Sequence, residues 1–228
     1  MFMIKQKIRD FLTSFKKVLF PEYSCFICNR ELEHPENHIC ENCKNDIDEI
    51  SGNVCVVCGE PLPEPNIYCE GCKTSRPVYD MARSCYVYND SIGKIVAGLK
   101  YHGKKFLVPF MAQKMLLNTE DFGVMPDIIV PVPITEKRKN KRGFNQSELL
   151  AYKIEELSGE TMKVRTDLVV RTVDRTPQAQ LSRAQRMVNL TDCFELCSKE
   201  SLEDKVVMII DDVFTTGTTA SEVALMLK

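Results

Sequence analysis

Apolar residues recur at helical spacing through Ile4, Ile8, Phe11, Leu12, Phe15, Val18 and Leu19, which predicts an amphipathic helix over 1–20. Five basic residues and one acidic residue fall mostly on its other side. Such a helix can dock on its own domain, the ordinary case, or on a partner or membrane surface. From 21 to 76 no period survives, because Pro35, Asn37, Gly52, Gly59, Pro61, Pro63, Pro65 and Gly71 suit short turns and hairpins. After Pro77 short apolar strands alternate with helical patterns, the signature of an α/β fold. The pattern predicts strands over 85–88, 127–133, 168–170 and 206–210, and helices over 92–99, 106–117 and 144–157. A last helical run passes through Ala220, Val223, Ala224 and Leu227. The polar stretch 172–187, with three arginines and three glutamines, is too long for an idle connection and reads as a lid.

Composition narrows the function. With 228 residues, 44% of them hydrophobic, the chain can bury a sizeable core. A formal net charge of -2 excludes a polycation that coats nucleic acid, so any basic function must be local. Charged residues interrupt every apolar run near the start, and no stretch reaches the roughly 18 uncharged apolar residues of a membrane span. A cytoplasmic protein without a transmembrane segment is expected, in a compartment where thiols stay reduced. Three parts follow: the helix 1–20, a cysteine-rich part 21–76 and an α/β domain 77–228.

Eight of eleven cysteines form four CxxC pairs: Cys25 with Cys28, Cys40 with Cys43, Cys55 with Cys58, and Cys69 with Cys72. Each CxxC turn sets two sulfurs on one side of a tight loop, and two turns together make the tetrahedral thiolate site that zinc prefers. Two tandem zinc ribbons are predicted, each closed by four cysteines and therefore structural. Sequential pairing is the more local arrangement; interleaved pairing is the alternative. His34 and His38 read as loop residues, and Cys85, Cys193 and Cys197 as ordinary core or surface residues. With so few bulky apolar residues the ribbons need metal to fold, so zinc removal is expected to unfold 25–72 and spare the α/β domain. That span holds ten Asp and Glu against Arg30 and Lys44, so it repels phosphates.

The most informative stretch is the apolar strand 206–210, then Asp211, Asp212, Val213, Phe214, Thr215, Thr216, Gly217, Thr218 and Thr219, then a helix. A buried parallel strand delivers both carboxylates to the carboxyl edge of a sheet, where ligands of open α/β folds sit. The Thr/Gly turn opens a helix, so N–H groups, hydroxyls and the helix dipole converge as a phosphate cradle. Carboxylates beside such a cradle suit a ligand with both phosphate and hydroxyls, or a divalent cation. A sugar phosphate meets these conditions. The near P-loop from Gly98 to Lys105 is rejected, because no Ser or Thr follows the lysine and no strand precedes it. His102 has no partner pattern.

The strand-Asp-Asp-x-x-Thr-Thr-Gly-x-Thr segment resembles the 5-phosphoribosyl 1-pyrophosphate (PRPP) motif of type I phosphoribosyltransferases. With the cysteine pairs upstream and Val130-Pro-Val-Pro133 followed by Arg142-Gly-Phe-Asn-Gln146, the chain from about Cys25 onward resembles the ComF family. The resemblance implies a double zinc ribbon ahead of a type I phosphoribosyltransferase-like parallel sheet with helices on both faces, in proteins linked to DNA uptake during natural competence. It implies that Asp211 and Asp212 hold the ribose hydroxyls and carry the catalytic role, and that Thr215, Thr216, Gly217, Thr218 and Thr219 hold the 5′-phosphate. The turn after Pro133, with Lys137, Arg138, Lys139, Lys141 and Arg142, would be the pyrophosphate loop sharing its anion with Mg²⁺; a solvated charged loop is the plainer reading. Residues 175–186 would be a hood that excludes water. Family members continue past the last helix into a further strand, so the resemblance implies either a truncated chain at Lys228 or a sheet edge built differently. A phosphoribosyl transferase, or a non-catalytic protein binding PRPP, a nucleotide or single-stranded DNA beside other competence proteins, are the two readings left open.

Overall fold

Residues that alternate between two buried faces can only form strands inside a layered fold, and 128–131 and 207–210 do so. In the computed structural model, which describes residues 24–34, 38–173 and 193–228, these become β1 (Ile128–Pro131) and β5 (Val207–Ile210). They pair in parallel from Ile128 opposite Val207 to Pro131 opposite Ile210. β2 (Lys163–Val164) joins β1 in parallel on the other side, giving the order β2-β1-β5. β3 (Val169–Arg171) and β4 (Phe194–Leu196) form a separate antiparallel ribbon.

Among the described residues the α-helices, in chain order, are α1 (Glu41–Asn45), α2 (Glu70–Thr74), α3 (Asp90–His102), α4 (Val108–Leu117), α5 (Glu136–Arg142), α6 (Gln146–Leu157) and α7 (Thr218–Leu227). Ile128, Val130 and Val132 point to one face of the sheet and pack with Leu168, Val169, Phe194 and Val223 of α7. The intervening Ile129 and Met208 serve the other face, where α6 buries Leu150, Ala151 and Ile154 against β1. Helices thus cover both faces of a parallel α/β sheet.

Most predicted elements form, with shifted ends: the helix expected over 92–99 extends to Asp90–His102, while the strands expected over 127–133 and 206–210 are trimmed. Proline forces the start of 106–117 into a 3₁₀ turn (Lys105–Leu107), because Pro109 lacks the N–H that a helix interior would use. The strand expected over 85–88 is reduced to one bridge, Tyr86 with Glu49. The helix expected over 1–20 and the hood expected over 175–186 lie outside the described residues. No described helix is long and apolar enough to cross a membrane.

The compact units divide between Ile47 and Asp48, so the second ribbon shares a unit with the α/β part. Cys55, Val57, Cys69 and Cys72 bury with Tyr79 and with Phe214, Ala220 and Ala224 at the start of α7. Val78 N–H donates to Ser221 Oγ at 3.4 Å, and Lys228 pairs with Asp80 at 2.7 Å. A core shared by the second ribbon and the start of α7 therefore runs across the expected boundary at 76–77.

Candidate functional site

The two ribbons repeat one local design. In the first, Cys25 N–H donates to the Arg30 carbonyl and Asn29 N–H returns to the Cys25 carbonyl; in the second, Cys55 and Gly59 do the same with Glu60 and Cys55. The tight reversal needs a left-handed residue after the first CxxC of each ribbon, supplied by Asn29 (φ 59°) and Gly59 (φ 74°). The second pair of each ribbon opens a short helix, with Cys40 capping α1 and Cys69 capping α2. Cys25, Cys28, Cys40 and Cys43 form one cluster and Cys55, Cys58, Cys69 and Cys72 the other, all ligand atoms of each lying within 4.8 Å of one another. Pairing is sequential.

These donors fit zinc. A tetrahedron with bonds of about 2.3 Å has S···S edges of about 3.8 Å, and Cys28 to Cys40 is 3.7 Å while Cys58 to Cys69 is 3.6 Å. Burial alone would raise the Cys25 thiol, yet N–H groups of Cys28, Cys40 and Ile27 bring it down to about 6. Cys55 reaches about 6 against the same burial, through N–H groups of Cys58, Cys69 and Val57. Backbone donors aimed at Cys25 and Cys55 favour the thiolate at those two sulfurs, whereas burial and the neighbouring thiols raise Cys43, Cys58 and Cys72. Two four-cysteine sites are thus built for two structural zinc ions.

The second site lies at the carboxyl end of β5. Asp211 and Asp212 leave the strand, the chain turns through Thr215, Thr216 and Gly217, and α7 begins at Thr218. Gly217 caps α7 at φ 71°, and a side chain there would meet Tyr79 Oη at 2.6 Å and Phe214 Cζ at 2.9 Å. Tyr79 and Phe214 stack edge to face, 6.1 Å apart, and wedge the turn from within. Thr215 and Thr216 are left exposed, and Thr216 Oγ1 and Thr218 Oγ1 lie 2.7 Å apart. Thr219 is half-buried on the first turn of α7.

Around the carboxylates the structure gathers residues from three segments. Ser147 Oγ donates to Asp211 Oδ1 at 3.2 Å, and the Asp212 N–H donates to the same oxygen at 2.9 Å. Gln146 Nε2 donates to Asp212 Oδ1 at 3.4 Å, while Arg142 donates to Gln146 Oε1. Lys100 Nζ, from the last turn of α3, lies 2.7 Å from Asp212 Oδ2, whose side chain is 4% exposed. Asn145 holds this arrangement from behind: its Nδ2 donates to the Val132 carbonyl at 3.0 Å and its Oδ1 caps α6. Burial first, then the adjacent Asp212 charge, raises the Asp211 carboxyl to about 7; the Asp212 N–H and Lys100 oppose the rise.

The basic run behaves differently from a loop. It folds as α5, capped by Thr135, whose Oγ1 accepts the Arg138 N–H, and ended by Gly143 at φ 82°. Arg142 reaches the carboxylates through Gln146, whereas Lys137 stays exposed in the first turn and Lys139 pairs with Glu148 at 3.2 Å. Lys100, Ser147 and Tyr79 carry no motif in the sequence and are found only by folding. A depression lined by Tyr152, Glu155, Glu156, Gly159 and Glu160 lies at the opposite end of α6 from Gln146, and its acidic lining takes no part in this site.

These features define a zinc-ribbon protein whose second ribbon is built into a parallel α/β unit bearing a buried acidic pair. Comparison with known proteins agrees: residues 15–73 match the double zinc ribbon domain. The chain is 27% identical to competence protein ComFC of Bacillus subtilis, over 81% of this chain and 75% of that one. It is 29% identical to DNA utilization protein YhgH of Salmonella typhimurium over 89% of each, and 27% identical to competence protein F of Haemophilus influenzae over 92% of each. The chain is a homologue of this competence and DNA utilization group, related to it along most of its length. No solved structure matches the chain.

Proposed function

We propose that the carboxyl end of β5 binds a phosphorylated ribose of the PRPP type, in a protein that serves DNA uptake or utilization in the cytoplasm. One observation carries this reading: a buried carboxylate pair stands directly before an exposed threonine turn and a helix N-terminus, in register with a parallel strand. Asp211 and Asp212 would take the ribose hydroxyls, and Thr215 to Thr219 the 5′-phosphate. Lys137, Arg138 and Arg142 would face a pyrophosphate that carries Mg²⁺. The parallel order β2-β1-β5 with helices on both faces supports a type I phosphoribosyltransferase-like domain. The test is calorimetric titration of zinc-loaded protein with PRPP, with and without Mg²⁺, followed by a pyrophosphate-release assay. Binding should be lost in Asp212→Asn and Gly217→Val with both zinc ions retained, and unchanged affinity in both variants would sink the assignment. Pyrophosphate release against a panel of acceptors would make it a transferase, and binding without release a ligand-binding protein.

A second reading has its own observation. Arg142 lies over the Tyr101 ring at 5.7 Å and Lys105 over Phe144 at 5.0 Å, and Tyr101 is 72% exposed. Aromatic faces interleaved with cations are what single-stranded DNA needs for stacking and phosphate contact. Tyr101→Ala would then weaken oligothymidylate binding at least tenfold and leave PRPP binding intact; equal DNA affinity in the variant would remove this reading.

A further inference from the structure

An acidic pair next to a phosphate cradle repels the ligand that the cradle attracts, and Lys100 answers that conflict. Its ammonium sits 2.7 Å from Asp212 Oδ2, 22% exposed against 4% for the aspartate, so the pair is screened little by water. It reaches the site from the C-terminal turn of α3, where a cation is favoured by the helix dipole, and Gly103 ends that helix in the left-handed region three residues later. Asp212 is therefore already neutralised by the chain, and the Asp211 carboxyl, raised to about 7, carries only part of a charge near neutral pH.

We infer that Lys100 is a positioning residue that fixes Asp212 and replaces a divalent cation at the acidic pair, so that this edge takes the hydroxyls of a sugar phosphate without metal. The inference rests on the sugar-phosphate reading of the site. Lys100 holds one oxygen of Asp212 and Gln146 the other, which fixes the plane of the carboxylate. A cis-diol can then donate to fixed acceptors, and its phosphate meets no uncompensated negative charge. Any Mg²⁺ requirement belongs to a pyrophosphate, not to Asp211 and Asp212.

The experiment compares ribose 5-phosphate, which has no pyrophosphate, with PRPP. Wild-type protein should bind ribose 5-phosphate equally with Mg²⁺ and with EDTA, with metal exchange at the cysteine sites checked by zinc content. Lys100→Met should bind at least tenfold more weakly in EDTA and regain affinity with millimolar Mg²⁺, whereas Lys100→Arg should stay near wild type. If wild type binds ribose 5-phosphate only with Mg²⁺, the role of Lys100 is overturned while the site reading stands; this arm needs no variant. Folded Lys100→Met that binds as wild type does, in EDTA, also overturns it. Failure of folded wild type to bind either ligand overturns the site reading itself, and the inference with it.

Discussion

Asp211 is a carboxylate that the fold pushes toward its neutral form, which makes Asp211→Asn a stability test of the whole cluster. Asn keeps an Oδ1 that can accept from Ser147 Oγ and the Asp212 N–H, and removes the charge that burial and Asp212 oppose. The folded-state value is raised from 3.8 to about 7, so the native state holds more protons than the unfolded chain across that window. Stability contributed by this group therefore falls as pH rises from about 4 to about 7 and is level above. At about 1.4 kcal/mol per pH unit the full effect is about 4 kcal/mol, and about half of it falls between pH 5.5 and pH 8. Asp211→Asn has no such titration. In urea unfolding with zinc buffered, the variant should gain about 2 kcal/mol on wild type between pH 5.5 and pH 8, and be the more stable at pH 8. Taking the difference cancels histidines and every other group common to both. A difference that stays flat with pH, or a variant less stable at pH 8, would refute both the burial and the like-charge account of this pair.

Gly217→Ala should lower stability by about 2 kcal/mol or more, since it adds left-handed strain to contacts below 3 Å with Tyr79 and Phe214; thermal melts of this variant with and without Tyr79→Phe should show partial recovery when the hydroxyl is removed. Elemental analysis should find two zinc ions per chain, and Cys28→Ser or Cys58→Ser should each remove one. Only Cys58→Ser should speed hydrogen exchange in 214–224, because its ribbon shares a core with the start of α7; equal exchange in both variants would show the shared core to be inconsequential.

The metal sites were legible because everything that defines them is local: CxxC turns and the residues just after them. β1 and β5 were legible because strands buried on two faces read as unbroken apolar runs. The seven residues of α5 contain no apolar side chain, and only Thr135 and Gly143 at its two ends betray a helix. β2 and β4, two and three residues long, are made by the partners they meet. Lys100 beside Asp212, and Tyr79 beneath Gly217, join segments far apart in the chain, where no short pattern reaches. Composition changes after 76, whereas the core of the second ribbon runs across that point through contacts of the same long-range kind.

The left-handed position after each first CxxC pair shows what that shared core demands. Asn29 occupies it on an exposed turn, whereas a side chain at Gly59 would strike the Ala82 carbonyl oxygen at 2.8 Å. The two ribbons are thus copies with unequal freedom. The first leaves that turn position open to a side chain, which makes Asn29 the place where a label can be attached. The second has become part of the masonry: its sequence is answerable to a wall on the far side of the joint.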